Sequence, residues 1–190
     1  MFGKRKQPKL ESSQVPAEEF EVDPETGLMA ASRFEEALEK EIARGLRYGS
    51  TSALVLFEVG VAEKATEGTL PSPAPFVAKT LLNAARTSDI VARVSTQVFA
   101  VLLVEARAEG AMQFSERVRT SIGSSPYARR EDGTGWYARA WAGVAQWETG
   151  FDSVARYARA AQEALESTFV GYESAQAWYR GEGLNKPLTV

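Results

Sequence analysis

The segment SALVLFEV, residues 52–59, is a continuous apolar run of strand length. A strand with one face in water alternates apolar and polar residues, and this run shows no such alternation. It is therefore predicted to be a central strand of a sheet that is covered on both faces.

The patterns around this strand predict the elements that cover it. Apolar residues at helical spacing predict helices, and short β-branched or aromatic runs predict strands. The predicted helices are 32–48, 75–86, 108–122 and 151–168, and the further strands are 90–94, 98–104, 136–148 and a short one at about 175–180. Without the first and last helices the order is strand, helix, strand, strand, helix, strand, a split βαβ or ferredoxin-like arrangement. The predicted fold class is α+β, with a βαββαβ core and a mostly antiparallel central sheet flanked by helices.

Several local signals refine this outline. Ser32 to Glu35 reads as a capping box at the start of the first helix. Pro75 suits the first turn of the second helix, and Gly143 suggests a bulge or bend in a strand. Residues 60–75 and 124–135 are rich in turn-forming or polar residues and are predicted to be loops.

Composition limits the chemistry. The 190 residues suffice for one domain with a tail, and the chain contains neither cysteine nor histidine. Disulfides, thiolate nucleophiles and the commonest general base are thereby excluded. The formal charge of −3 gives no reason to expect nucleic-acid binding, and no apolar run approaches the roughly 20 residues of a membrane span.

The composition of the N-terminal segment predicts where the domain begins. Residues 1–19 are polar, lack an apolar leader segment and are predicted to be a disordered tail, followed by one domain over 20–190. A cytoplasmic location without membrane insertion is expected.

Two segments carry a family resemblance. DPETGLMAASRF, residues 23–34, and RTSDIVARVSTQVFAVLL, residues 86–103, resemble the D-x-L-T-G-L-x-N-R-R-x-F and R-x-x-D-x-x-A-R-x-G-G-[DE]-E-F-A-x-L-L segments of GGDEF domains, the diguanylate cyclases. The matching residues are Asp23, Thr26, Gly27, Leu28, Phe34, Arg86, Asp89, Ala92, Arg93, Phe99, Ala100, Leu102 and Leu103. SERVR at 115–119 and AWAGVAQ at 140–146 are similar to two later segments. The resemblance covers about residues 22–166 and implies the palm-like fold of that family.

The family's catalytic positions differ here. GGDEF cyclases join two GTP molecules with the help of magnesium, and their signature supplies glycines and acidic residues. This chain has Ser95, Thr96, Gln97 and Val98 in their place. Glu58 stands alone at the end of the central strand, and Glu166 aligns with a lysine that meets phosphate in the family. The expectation from these changes is a degenerate domain that is not an enzyme and holds no metal or cofactor.

A second family site is retained in sequence. GGDEF domains often bind cyclic di-GMP at an inhibitory site built from an R-x-x-D motif and a further arginine. Arg86, Asp89 and Arg117 occupy these positions, and Arg93 is a weaker candidate. A guanidinium offers a planar fork for guanine or phosphate, and a carboxylate accepts from guanine N–H groups.

Two hypotheses follow. In the first, the domain is a receptor that binds cyclic di-GMP at Arg86, Asp89 and Arg117 and signals to a protein partner or a second copy of itself. In the alternative, the domain is a ligand-free scaffold for protein–protein interaction. In that case Arg86 and Asp89 form only a local ion pair, and Arg117 and Arg119 lie on the solvated face of a helix.

Overall fold

The computed structural model of the chain describes residues 21–61, 70–147, 151, 153–169 and 176–178. The helices are α1 (Ala31–Tyr48), α2 (Ala74–Ala84), α3 (Ala108–Ser124) and α4 (Val154–Glu166). The strands are β1 (Met29–Ala30), β2 (Ser52–Val61), β3 (Ile90–Arg93), β4 (Val98–Val104), β5 (Ala128–Arg129), β6 (Gly135–Trp136), β7 (Ala138–Gln146) and β8 (Gln176–Trp178). The predicted tail, residues 1–19, lies outside the described residues.

The main sheet contains six strands in the order β1-β3-β4-β2-β7-β8. The pairings β3–β4, β4–β2 and β2–β7 are antiparallel, whereas β1 and β8 pair in parallel with β3 and β7. Strands β2, β3, β4 and β7 with helices α2 and α3 form the predicted βαββαβ core. The α+β fold class is thus confirmed, with a central sheet that is mixed rather than purely antiparallel.

Strand β2 is central and covered on both faces, as its apolar run predicts. Residues Ala53–Phe57 are all buried. Val55 and Phe57 belong to a core that includes Leu81 of α2 and Val118 of α3. Leu54 belongs to a second core with side chains of α1 and α4. Because successive side chains of a strand point to opposite faces, one run of apolar residues supports a helix–sheet–helix architecture.

Gly143 does not form the predicted bulge. It pairs in register with Leu56 inside the uninterrupted β2–β7 ladder. A Cβ at this position would lie 2.2 Å from the Ala161 carbonyl oxygen and 2.3 Å from the Leu165 backbone nitrogen. Glycine is therefore needed because the backbone of α4 packs directly on β7.

The first helix begins earlier than predicted. Its N-cap residue is Ala30, without a side-chain cap, and Ser32 lies inside the helix. The proposed capping box at Ser32–Glu35 is wrong because β1 leads into the helix without a cap residue between them. The Pro75 prediction is confirmed, since that proline occupies the first turn of α2.

The predicted polar loop at 124–135 contains more structure than expected. Strands β5 and β6 pair there as a separate two-stranded hairpin. The Arg130 guanidinium lies 3.8 Å from the centroid of the Trp136 ring, which holds the hairpin together by a cation–π contact. No helix in the described ranges is long and apolar enough to cross a bilayer.

Candidate functional site

The predicted site residues line one cleft, which is called the RxxD cleft below. It lies between the C-terminal end of α2, the end of the β3–β4 hairpin away from its turn, and α3, and encloses about 420 Å³. Its lining residues are Ala84, Arg86, Asp89, Leu103, Val104, Glu105, Ala106, Arg107, Glu109, Gly110, Gln113, Phe114 and Arg117. Arg86, Asp89 and Arg117, the three residues predicted from the sequence, therefore meet around one cavity.

Asp89 organises the backbone of this cleft. Its Oδ2 accepts from the Arg86 backbone N–H at 2.8 Å, and its Oδ1 accepts from the Val104 N–H at 3.2 Å. The Asp89 N–H donates in return to the Arg86 carbonyl at 3.0 Å. The carboxylate thus joins the α2–β3 turn to the end of β4. The Arg-x-x-Asp spacing serves a turn here and does not form an ion pair.

Arg86 and Arg117, two of the three arginines that line the cleft, have no acidic partner in the part of the chain that the structure describes. Neither guanidinium has a carboxylate oxygen within 4 Å among the described residues, and both residues are exposed. Arg117 donates to the Ala84 carbonyl at 3.2 Å and lies 5.4 Å from the Phe114 ring centroid. This contact directs Arg117 toward the C-terminal end of α2, beside the turn that contains Arg86.

Arg119 behaves differently from its neighbour Arg117. Its side chain is only 10% exposed, pairs with Glu116 at 2.6 Å and donates to the Ala140 carbonyl. Burial lowers the pKa of Arg119 in spite of the Glu116 charge. The alternative that places both arginines on one solvated face is therefore wrong for Arg119, which packs toward β7.

Sequence reasoning missed four polar residues of the cleft, Glu105, Arg107, Glu109 and Gln113. Arg107 precedes α3, and Glu109 and Gln113 share one face of that helix with Arg117 at spacings of four residues. The four-residue spacing was visible in the sequence. It carried no ligand signal because charged residues at such spacing usually mark a solvated helix face.

The signature hairpin closes without glycine. The turn Ser95–Gln97 is held by N–H groups of Val94 and Ser95 that donate to the Val98 carbonyl, and by the Ser95 hydroxyl, which accepts from the Val98 N–H. In the described part of the chain, Glu105 is the one residue other than glycine with a positive φ. The turn thus uses backbone angles that any residue adopts, which explains why side chains are tolerated there.

Arg93 is the centre of an ion-pair cluster beside this turn. Its side chain is 8% exposed and pairs with Asp23 at 3.2 Å and Glu25 at 2.5 Å. It also donates to the Thr96 carbonyl at 2.8 Å. Arg93, the weaker candidate for the ligand site, does not line the RxxD cleft and instead joins the 23–28 turn to the signature turn.

This cluster lowers the pKa values of two carboxyl groups, those of Asp23 and Glu25. Burial acts to raise the pKa of Asp23, but hydrogen bonds from the Thr26 hydroxyl and Arg93 outweigh it and hold the pKa below its ordinary value. Hydrogen bonds from Ser72 and Arg93 lower the pKa of Glu25. Both carboxylates are therefore ionised at neutral pH and neutralise the arginine.

A second cleft of about 350 Å³, the signature cleft, lies next to this cluster. Glu25, Ser72, Arg93, Thr96 and Gln97 supply its polar lining. A magnesium ion prefers several carboxylate or phosphate oxygens. Among the described residues, no three His, Cys, Asp or Glu side chains lie close enough together to hold a metal ion.

Comparison with known proteins defines the class to which this architecture belongs. Residues 75–168 match the family model described as "Diguanylate cyclase, GGDEF domain". The chain therefore contains a GGDEF domain and is related to the diguanylate cyclases. No curated protein matches the sequence.

Solved structures share the fold. The GGDEF domain of DgcB from Caulobacter crescentus, in complex with c-di-GMP, is 18% identical with a TM-score of 0.74, over 84% of this chain and 93% of that one. The GGDEF domain of PA1120 (TpbB or YfiN) from Pseudomonas aeruginosa is 20% identical with a TM-score of 0.73, over 84% and 94%. SiaD from Pseudomonas aeruginosa, in complex with its activator SiaC, is 24% identical with a TM-score of 0.67, over 77% of this chain and 56% of SiaD.

The family match corrects one expectation. The altered signature residues Ser95–Val98 led to the prediction that the chain is not an enzyme. That prediction is wrong, because the family model matched by residues 75–168 is that of the diguanylate cyclases themselves. Substitutions in one turn were weighed too heavily against the resemblance of the rest of the domain.

Proposed function

We propose that this GGDEF domain is a receptor for cyclic di-GMP, which it binds in the RxxD cleft through Arg86, Asp89 and Arg117. The observation that carries the proposal is the meeting of these three residues around one cavity, with both guanidinium groups unpaired by carboxylates in the described part of the chain. Arg93, whose role is structural, is paired with two carboxylates, whereas Arg86 and Arg117 have none within 4 Å in the described part of the chain. Unpaired arginines at a concave surface suit an anionic ligand.

The chemistry of the ligand matches that of the cleft. Each guanine of cyclic di-GMP presents O6 and N7 acceptors and N–H donors, and each phosphate is an anion. Arg86 and Arg117 supply forks of donors that fit either group. An ionised carboxylate has about four acceptor sites, and Asp89 uses two of them for backbone N–H groups. The remaining sites accept from guanine.

Two of the fold neighbours support this assignment at the level of the class. The DgcB structures contain c-di-GMP. SiaD is in complex with a protein activator. A receptor of this class has to change a partner, and we propose that the ligand-bound domain acts on a protein partner or on a second copy of itself.

Isothermal titration calorimetry tests the binding site. The purified chain is first stripped of bound nucleotide, which is verified from its absorbance ratio, and is then titrated with cyclic di-GMP. Binding is expected, and Arg86→Ala and Arg117→Ala are expected to weaken it at least tenfold, since each removes a charge-assisted contact. Arg159→Ala, which removes an exposed arginine of α4 on the opposite face of the sheet, is the matched control.

Absence of heat at high ligand concentration would overturn the receptor proposal and favour a ligand-free interaction module. Equal loss of binding in Arg159→Ala would show that general charge, not the cleft, attracts the ligand. Sedimentation with and without cyclic di-GMP then tests the output. A ligand-dependent rise in mass supports a second copy as the partner.

A further inference from the structure

Resting on the proposed function, we infer that the RxxD cleft reads both halves of the cyclic dinucleotide, and that Arg107, Glu109 and Gln113 form its second recognition half. Arg107, Glu109 and Gln113 line the same cavity as Arg86, Asp89 and Arg117 but belong to a different part of it, the N-terminal end of α3. The R-x-x-D motif does not include them.

The geometry of α3 separates the two halves. Glu109, Gln113 and Arg117 lie at four-residue intervals and so form one stripe along the helix. At a rise of about 1.5 Å per residue, the eight steps from Glu109 to Arg117 span about 12 Å along the axis. A single base does not cover this length, whereas a cyclic dinucleotide carries two bases on one ring and does.

The second half repeats the chemistry of the first. Arg86 is accompanied by the carboxylate of Asp89, and Arg107 is accompanied by the carboxylate of Glu109. Neither Arg107 nor Glu109 has an oppositely charged partner within 4 Å among the described residues. A carboxylate accepts from the N1–H and amino group of guanine, and Gln113 adds an amide that both donates and accepts. Arg107 supplies positive charge for a phosphate.

The position of this second half is fixed by the fold. Gln146 of β7 accepts from the Ala108 backbone N–H at 2.8 Å and thereby caps the start of α3. Glu105, at φ 54°, turns the chain from β4 into the helix. Arg107 is the N-cap residue of α3 and follows this turn closely, so its backbone is held at the rim of the cleft before any ligand arrives.

Base identity provides the test. In 3′,3′-cyclic GMP–AMP one guanine is replaced by adenine, which has no N1–H and presents an acceptor toward a carboxylate. If Glu109 reads the second guanine, the chain should bind cyclic di-GMP at least tenfold more tightly than cyclic GMP–AMP. Glu109→Gln should reduce this preference to about twofold, because an amide can pair with either base.

Companion variants separate the roles. Arg107→Ala should weaken both ligands about equally, by roughly tenfold, because a phosphate contact carries no base information. Glu163→Gln, at an exposed residue of α4, is the matched control for Glu109→Gln and should retain full preference. Circular dichroism melting curves should coincide for all three variants, since the residues are exposed.

The outcomes distinguish this inference from the proposed function. Arg86-dependent binding of cyclic di-GMP, together with an unchanged base preference in Glu109→Gln and unchanged affinity in Arg107→Ala, would overturn the two-half cleft and leave the receptor function standing. No binding of cyclic di-GMP by the unmodified chain would remove both. Loss of preference in Glu109→Gln with intact Arg86-dependent binding supports both.

Discussion

The two clefts at opposite ends of the β3–β4 hairpin use arginine in opposite ways. In the signature cleft, Arg93 is buried and neutralised by Asp23 and Glu25. In the RxxD cleft, Arg86 and Arg117 are exposed and have no carboxylate partner in the described part of the chain. A buried arginine that is paired with carboxylates holds the fold together, whereas an exposed arginine without a carboxylate partner is available for a ligand. Residue type alone does not distinguish these two roles. The carboxylate partners of each arginine do.

The largest expected effect on stability comes from breaking the ion-pair cluster of Arg93. Arg93→Met removes the guanidinium and leaves Asp23 and Glu25 facing each other without a cation. We expect a loss of about 2 kcal/mol in the free energy of unfolding, less than for a fully buried pair because water can reach Glu25, which is 39% exposed. Urea unfolding at neutral pH measures it.

Arg86→Met is the matched control from the other cleft, and we expect it to change stability by less than about 0.5 kcal/mol. Equal losses in the two variants would show that the arginines do not differ in the way their partners indicate.

Asp89 is the exception within the RxxD cleft, because its carboxylate serves the fold as well as the proposed ligand. Asp89→Asn keeps the shape but offers one acceptor to two backbone N–H groups. We expect a loss of about 1 kcal/mol in the free energy of unfolding, together with weaker binding. Arg86→Ala should lose binding alone. Full stability of Asp89→Asn would contradict the structural role assigned to this carboxylate.

Acid should weaken the ion pairs that Arg93 forms with Asp23 and Glu25, and so lower the stability of the chain. The pKa values of Asp23 and Glu25 lie below their ordinary values of 3.8 and 4.5 in the folded chain. Their contribution to stability is therefore complete above the unfolded pKa and is lost as pH falls, between about pH 5 and pH 3. Urea midpoints should fall less steeply over this range in Arg93→Met than in the unmodified chain.

Asp132 also has a lowered pKa, because Thr134 donates hydrogen bonds to it. Its contribution to the pH dependence of stability should be the same in the unmodified chain and in Arg93→Met. Parallel pH curves for Arg93→Met and the unmodified chain would show that Arg93 does not set the pKa of the two carboxyl groups.

The smallest expected effect is that of salt, which should act differently on the arginines of the two clefts. Exposed charges are screened over about 8–10 Å at moderate ionic strength. We expect the affinity for cyclic di-GMP to fall severalfold between 0.1 M and about 0.5 M sodium chloride, while the melting temperature of the unliganded chain changes little. A strong dependence of the melting temperature would indicate that the Arg93 cluster is more hydrated than its 8% side-chain exposure implies.

The sequence predicted the core of the fold because apolar periodicity reports burial directly. The β2 run and the helical spacing of α1–α4 give each boundary to within a few residues. The signals that failed were local. Ser32 fits a capping pattern, but the chain enters α1 from β1. Gly143 fits a bulge, but its role depends on how the following helix, α4, packs back on β7.

The candidate site was predictable in part for a similar reason. Arg86, Asp89 and Arg117 follow a family pattern that survives in the sequence. The hydrogen bonds of Asp89 to backbone groups, and the place of Arg107 on the same cavity, depend on how β4 and α3 meet. The spacing of residues along the chain does not show how β4 and α3 pack.

The contact of α4 with β7 at Gly143 has a mechanical consequence. Backbone packs on backbone there, so no layer of side chains exists in which rotamers could change and let the helix slide. Helix and strand move as one rigid body. We therefore expect any structural response to the proposed ligand to occur in α2, α3 and their loops, on the other face of the sheet.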